Sequence, residues 1–365
     1  MENNNDDVRS RAFSLCKEYL HGSWNTIKQA DLQIQQISGG LSNLLYLCSL
    51  PAGVSPQGNE PPCVLLRLYG QVRGETEEAL DGLLTEAVIF TLLSESQKGP
   101  KLLGVFPGGR LEEYIPARPL LTKELHETRL SAMIASKLAQ IHAMNVPINK
   151  HPRWLWDTMN RWLVNILEMK PGVGNLAKPA VAAMLSKFLN YELEKEMHWL
   201  KRELQKIDSP VVFCHNDLQE GNILLREKDQ DVVVIDFEYS AYNYRGFDLA
   251  NHMCEWVFDY TYPTPPYFTA HEKNYPSQEQ QEFFVREYLR SLPNSNGCYS
   301  NEEVHRLLRE ARIFTLASHF FWALWSVVNG AVSTIPFDYW VYGQARFESY
   351  FKHKNRLIDS KELNP

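Results

Sequence analysis

The chain is short of paired cysteines, of surplus positive charge and of unbroken apolar runs. Its six cysteines, at positions 16, 48, 63, 214, 254 and 298 of 365 residues, include no two within four residues of each other. That spacing excludes a zinc knuckle and a thioredoxin-type pair, and it points to a reducing, cytoplasmic setting. Lysine and arginine number 37 against 44 aspartates and glutamates, a net charge of −7, so nucleic acid is not expected as a partner. The start MENNNDD lacks the basic-then-apolar order of a secretory signal, and secretion is not expected. The one apolar stretch of membrane length, Ile313 to Val332, is broken by Ser318, His319, Ser326, Asn329 and Gly330 and carries tryptophans centrally rather than at its ends. It reads as a buried helix, with no membrane span. There is no internal repeat, and low complexity is confined to the Asn/Asp start and the Pro/Gly segment after Leu50.

What is present is an ordinary folded composition, 44% apolar and 22% charged, in a chain long enough for two domains or one domain with two lobes. Leu32 to Ile37, Asn43 to Leu50 and Cys63 to Gly70 read as strands of an antiparallel sheet. From Ala79 onward Leu80, Leu83, Leu84, Ala87, Val88 and Leu92 recur at helical spacing until Lys98 to Pro100 ends the pattern. Beyond Pro116 long helical patterns dominate, over Glu124 to Met144, Ala180 to Lys206, Gln278 to Leu289 and Glu302 to Val332. One β-rich insert interrupts them, comprising Val211 to Cys214, Asn222 to Leu225 and Asp231 to Asp236. The order is a β-rich lobe, a short linker and a helical lobe.

The strongest chemical signal is CHNDLQEGN followed by DVVVIDFE, which sets out His215, Asp217, Asn222 and Asp236. Phosphoryl transfer from ATP needs a carboxylate to receive the proton of the acceptor hydroxyl and oxygen ligands to hold Mg²⁺ against the phosphates. A turn between strands lets Asp217 and Asn222 face one point, and the end of the next strand delivers Asp236 to the same point. Taken singly, each piece has a plainer explanation, because an HxD is often a hydrogen-bonded turn and an aspartate after a strand is often a cap. The pattern also departs from that of protein kinases, with Asn216 in place of arginine and DFE in place of DFG.

Upstream, SGGLSN (Ser38 to Asn43) could drape backbone N–H groups over phosphates or simply make a Gly-Gly hairpin. Arg67 lies on an otherwise apolar strand, where its charge requires an anionic ligand or a carboxylate, unless it is an exposed edge-strand charge. Glu86 on the following helix is the candidate partner, by analogy with the lysine–glutamate pair of kinases.

VVFCHNDLQEGNILL and IDFEYSAYNYRGFDLANHMCEW resemble the choline/ethanolamine kinases, and their QEGN and RGFD wording resembles the choline branch found in animals. The resemblance runs from about Arg11 to about Phe351. It implies an α+β, two-lobed, eukaryotic-protein-kinase-like fold, with a small β-rich N-terminal lobe and a large helical C-terminal lobe. It further implies ATP and Mg²⁺ as cofactors, phosphocholine as product at the first step of phosphatidylcholine synthesis, and a homodimer. Carried over residue by residue, Asp217 is the catalytic base and Asn222 and Asp236 are metal ligands. Gly39, Gly40, Ser42, Asn43, Arg67, Glu86, Gln219 and Asp236 serve ATP, and Glu113, Tyr114, Ile115 and Arg118 belong to the nucleotide hinge. The lobes then run 8–112 and 119–365 on either side of a hinge at 113–118, after a disordered tail at 1–7.

The acceptor site has a physical reading too. A quaternary ammonium carries no N–H donor and is held by aromatic faces, at about 0.5 to 2 kcal/mol per cation–π contact, with one carboxylate at most. Trp322 and Trp325 lie three apart on a helix, and Tyr239 follows Asp236 by three residues. The family match adds Glu255, Tyr260, Phe337 and Tyr342. Aromatics at helical spacing are otherwise core. Pro336 and Ala241 stand where relatives carry glutamate and serine. Ethanolamine, with N–H donors of its own, is expected to lean on Glu255.

Two rivals stay open. Another small-molecule kinase on the same fold, for ethanolamine or an aminoglycoside, would want several carboxylates rather than rings. A kinase-like binding module without turnover would lack the base or a metal ligand, whereas Asp217, Asn222 and Asp236 are all present. A protein kinase is disfavoured by the lack of an activation segment ending in APE.

Overall fold

The computed structural model describes residues 2–37, 43–69, 77–96, 98–170, 172, 176, 178–293 and 297–363. The chain divides into two compact units, Met1–Ala117 with Arg226–Asp229, and Arg118–Leu225 with Gln230–Pro365. The division falls in the segment read as a hinge, and the short turn at 226–229 joins the first unit.

In the first unit, helix α1 (Glu2–Tyr19) includes the polar start that the sequence suggested would be a disordered tail. Ala12, Cys16 and Leu20 recur every four residues and are buried, so one stripe anchors the helix and its polar beginning continues from it. Strands β1 (Gln33–Ile37), β2 (Asn43–Ser49), β3 (Cys63–Tyr69), β4 (Leu102–Phe106) and β5 (Gly109–Glu113) form one sheet in the order β1-β2-β3-β5-β4. All neighbours in it are antiparallel. Val64, Leu66 and Leu68 alternate along β3 into a core shared with Trp24, Cys48 and Leu111. Helix α2 (Glu77–Glu95) links β3 to β4.

The second unit is mostly helical. Its helices are α3 (Thr128–His142), α4 (Trp154–Glu168), α5 (Pro179–Leu189), α6 (Leu193–Leu204), α7 (Arg245–Glu255), α8 (Gln278–Ser291), α9 (Asn301–Val332) and α10 (Tyr339–Asp359). The single helix expected over Ala180 to Lys206 is two, because Glu192 takes a left-handed φ of 53° that a helix cannot contain. Helix α9 is long and apolar enough to cross a membrane, yet 89% of its apolar window is buried inside the protein. It packs against α4, α7, α8 and α10. Close approach depends on two glycines: a Cβ on Gly246 of α7 would meet Phe314 of α9 at 2.6 Å, and one on Gly343 of α10 would meet Ser326 of α9 at 2.3 Å.

Two small sheets position the chemistry. Strands β6 (Ala117–Pro119), β8 (Ile223–Arg226) and β9 (Val232–Val234) form one, in the order β6-β8-β9. Strands β7 (Val211–Cys214) and β10 (Ala241–Tyr244) form an antiparallel pair with Cys214 opposite Ala241. A further short pair, β11 (Phe258–Asp259) and β12 (Thr269–Ala270), follows α7.

Candidate active site

Strand β7 ends at Cys214, and the chain turns through His215, Asn216 and Asp217 before β8. Asn216 supplies the left-handed φ of 68° that this turn needs, a conformation asparagine tolerates. The turn is pinned from behind by Asp248 of α7, which accepts the backbone N–H groups of His215 at 2.7 Å and Asn216 at 2.8 Å. Asp248 also meets His142 Nε2 at 2.9 Å, and His142 Nδ1 lies 2.8 Å from the Tyr288 hydroxyl. Burial pushes the Asp248 carboxyl up, but its bond to His142 and the neighbouring histidines outweigh this and leave it below its ordinary range. The His215 ring accepts the Asp217 N–H at Nδ1 and donates from Nε2 to Ile235 O at 2.9 Å. Burial keeps this imidazole below its ordinary pKa, so it links the turn to the segment after β9 as a neutral ring.

Asp217 and Asn222 meet as expected: Asn222 Nδ2 donates to the Asp217 carbonyl at 2.9 Å and to its Oδ2 at 3.0 Å. Asp236 follows β9, with a left-handed φ of 63°. Burial pushes the Asp217 carboxyl well above its ordinary value, and the negative charges of Glu255, Asp236 and Glu238 add to the rise against the opposing Asn222 bond. Asp217, Asp236 and Glu255 therefore share one electrostatic neighbourhood. Gln219 turns its Oε1 onto Gly221 N–H at 2.6 Å, capping the short 3₁₀ turn Glu220–Asn222.

Asn222 and Asp236 fit a hard divalent cation. With its Nδ2 committed to Asp217, the Asn222 amide presents its oxygen as the ligand atom, and Asp236 adds a carboxylate; both are the oxygen donors Mg²⁺ prefers. His142, Cys214 and Asp248 bring ligand atoms within 4.8 Å of one another, but hydrogen bonds occupy all three. Burial also holds the Cys214 thiol well above its ordinary pKa, so this cluster is a structural network.

The seven residues assigned to the acceptor converge. Ring centroids are 5.5 Å apart for Tyr239 and Trp322, 5.4 Å for Trp322 and Trp325, 6.3 Å for Trp325 and Tyr342, and 5.4 Å for Phe337 and Tyr342. Tyr260 lies 6.4 Å from Phe337 and donates its hydroxyl to Glu255 Oε2 at 2.7 Å. Glu255 differs from expectation: its Oε1 is ion-paired with Arg346 of α10, a fully buried guanidinium, so it is not a bare carboxylate open to an ammonium. Sequence reasoning also missed Arg346 itself, although its spacing of four from Tyr342 on a helix brings the two together. It missed Asp248 and Glu220 as well. The Glu220 carboxyl is pushed up to about 8 by burial and by the charge of Glu255, and it accepts the Thr122 hydroxyl at 2.9 Å.

In the first unit, Gly39, Gly40 and Ser42 lie outside the described residues, and of Asn43 only the backbone is described, paired with Tyr69. Arg67 is buried, but Glu86 is not the carboxylate it is seen to pair with. Its Nε donates to Glu112 Oε1 at 2.7 Å, Arg110 Nε donates to the same oxygen at 2.7 Å, and Glu86 is bound by Arg110. The register explains the difference, since Arg67 of β3 faces Arg110 of β5 and Glu112 stands two residues along on the same face. Burial pushes Glu112 up, and the two arginines outweigh it and hold the carboxyl below its ordinary range. Glu113 closes β5 with its Oε2 on Lys101 N–H at 3.0 Å, and Tyr114 and Ile115 are half-buried beyond it. In the second unit Arg118 makes a two-point ion pair with Glu124, at 2.7 and 2.6 Å.

A β-rich unit followed by a helical unit, with an HxD turn ahead of a strand-end aspartate, is the order of the protein-kinase-like phosphotransferases. The solved choline kinase of Cryptosporidium parvum has this fold in common with the chain, with a TM-score of 0.77, 28% identity and 97% of each chain covered. The family model described as choline/ethanolamine kinase matches residues 34–351. The human choline/ethanolamine kinase is 47% identical over 96% of this chain and 87% of its own length, and mouse choline kinase alpha is 45% identical over 96% and 82%. The chain belongs to the choline/ethanolamine kinase family.

Proposed function

We propose that the chain transfers the γ-phosphoryl group of ATP to the hydroxyl of choline, giving phosphocholine and ADP, with ethanolamine as a weaker acceptor. One observation carries this beyond family membership. The Asp217 carboxylate, bonded to Asn222 at 3.0 Å, shares its electrostatic surroundings with Glu255, which is hydrogen-bonded into the aromatic cluster through Tyr260. A base and a cation-binding set of rings thus stand on one unit.

In the reaction, Asp217 orients the choline hydroxyl and takes its proton as the oxygen forms a bond to the γ-phosphorus and the bond from that phosphorus to the ADP oxygen breaks. The transfer is direct, with no phosphoenzyme. Mg²⁺, which Asn222 and Asp236 would hold, supplies neutralisation of charge on the phosphates. Asp248 and His215 keep the turn in place, so Asp217 needs little rearrangement when substrate arrives. The ATP-binding roles of Gly39, Gly40, Ser42, Asn43, Arg67, Glu86, Glu113, Tyr114, Ile115, Arg118 and Gln219 belong to the same proposal and rest on family membership. So do a homodimer, a cytoplasmic location and a place at the first step of phosphatidylcholine synthesis.

A coupled assay of ADP release with ATP and Mg²⁺, run in parallel with choline, ethanolamine and an aminoglycoside, tests the proposal. Choline is expected to give the highest kcat/KM. Absence of ADP above background with all three acceptors would support the non-catalytic binding module instead.

A further inference from the structure

The polar handles of the aromatic cluster are bonded within the protein. Trp322 Nε1 donates to Asn251 Oδ1 at 2.7 Å and Trp325 Nε1 donates to the Tyr239 hydroxyl at 3.0 Å. Arg346 gathers the rest. Its Nε and Nη2 donate to the Tyr342 hydroxyl at 2.8 and 2.6 Å, its Nη2 also reaches the Tyr260 hydroxyl at 3.3 Å, and the same group is ion-paired with Glu255 Oε1. Tyr260 closes the ring of contacts through Glu255 Oε2 at 2.7 Å. The guanidinium is fully buried, lies 3.9 Å over the Phe258 ring and has His319 Nδ1 at 3.5 Å.

A buried cation beside a site for a cationic substrate is electrostatically unfavourable for binding. What it achieves is to engage Oε1 of Glu255 and both phenol oxygens, while Tyr260 takes Oε2 of Glu255. A primary ammonium entering among these rings brings N–H donors to acceptors that are already engaged, and an unsatisfied buried donor is costly. A trimethylammonium brings none and needs only the ring faces.

We propose that Arg346 is a positioning residue that sets acceptor specificity: by tying up Glu255, Tyr260 and Tyr342, it makes the cluster select for methylation of the substrate nitrogen. The inference rests on the acceptor-site assignment above. Arg346 touches no reacting atom; it acts through Glu255 and the two tyrosines.

The test is a methylation series. Steady-state kcat and KM are measured for ethanolamine, N-methylethanolamine, N,N-dimethylethanolamine and choline with wild type, Arg346→Lys, Arg346→Met and Tyr260→Phe, with a melting curve for each. In wild type, kcat/KM rises with each methyl group. In Arg346→Met and Tyr260→Phe an oxygen of Glu255 is released, and the preference for choline over ethanolamine narrows by about tenfold, the worth of one hydrogen bond to a charged group. Arg346→Lys keeps the charge but cannot span all the oxygens, so it falls between. Should all four acceptors lose kcat/KM by one common factor, Arg346 only holds the fold, and the acceptor-site assignment survives without the inference. Should no acceptor KM move in any folded variant, the ring cluster is not the acceptor site and both fall. If Arg346→Met does not fold, Tyr260→Phe decides by the same ratio.

Discussion

Asp248 accepts the backbone N–H of His215 at 2.7 Å across a sequence separation of 33 residues, and through this bond helix α7 sets the geometry of the turn that carries Asp217. The second oxygen of Asp248 takes the next N–H, from Asn216. A carboxylate accepting two backbone donors is a strong and directional clamp.

Asp248→Asn puts an amide nitrogen where one of these donors needs an oxygen. Stability is expected to fall by about 2 to 3 kcal/mol, and kcat is expected to fall further than KM rises because Asp217 loses its placement. Urea unfolding alongside steady-state kinetics measures both. Full kcat in a destabilised variant would separate the clamp from the chemistry.

Glu220 gives the protein a pH-dependent stability of definite sign. Its carboxyl is raised from 4.5 to about 8 when folded, so the native state holds a proton that the unfolded chain has released between those values. Its contribution is full below about 4.5 and is lost as pH rises through 8. The buried His252 and the half-buried His353, lowered from 6.5 to about 4, act oppositely and weaken the fold as pH falls from 6.5 towards 4. The melting temperature is therefore expected to peak near the crossover and decline towards alkaline pH. Glu220→Gln, neutral at every pH and close in shape, should flatten the alkaline decline and exceed wild type at pH 8.5 by about 5 °C. Equal slopes for the two proteins would refute the assignment.

Trp325 is the better test of the aromatic site than Trp322, which is buried in the core and bonded to Asn251. Trp325 is half-buried. Trp325→Leu keeps an apolar side chain but removes one cation–π face and the bond to Tyr239, so kcat/KM for choline should drop about tenfold, mostly through KM, with the ATP parameters little changed. A drop confined to the melting temperature would mark Trp325 as packing.

The catalytic turn was legible in the sequence because its parts lie close along the chain, between His215 and Asp236, and because strands on either side leave the turn little freedom. The strands of the first unit were legible from their alternation, and α8 and α9 from their long periodic patterns. Helix α7 was not, since Gly246 through Glu255 are all buried; its polar stripe of Asp248, Asn251, His252 and Glu255 is spent on internal bonds, so no face is left to solvent. The partner of Arg67 was hidden for a different reason. It depends on β3 pairing with β5 ahead of β4, a long-range choice that local pattern does not encode. Arg346 escaped because a buried arginine on a helix looks like any surface arginine until its partners are seen.

The central claim is that Asp217 accepts the proton of the acceptor hydroxyl. Asp217→Asn preserves the size of the side chain and an oxygen for the bond from Asn222, and it puts a neutral group where burial already disfavours charge. The most direct measurement is kcat for ADP release with saturating choline, ATP and Mg²⁺, taken with the melting temperature and ATP affinity of the same variant. The account expects kcat to fall about 10²- to 10⁴-fold while the melting temperature holds or rises and ATP binds as in wild type. A folded Asp217→Asn protein that keeps more than about a tenth of wild-type kcat would contradict it.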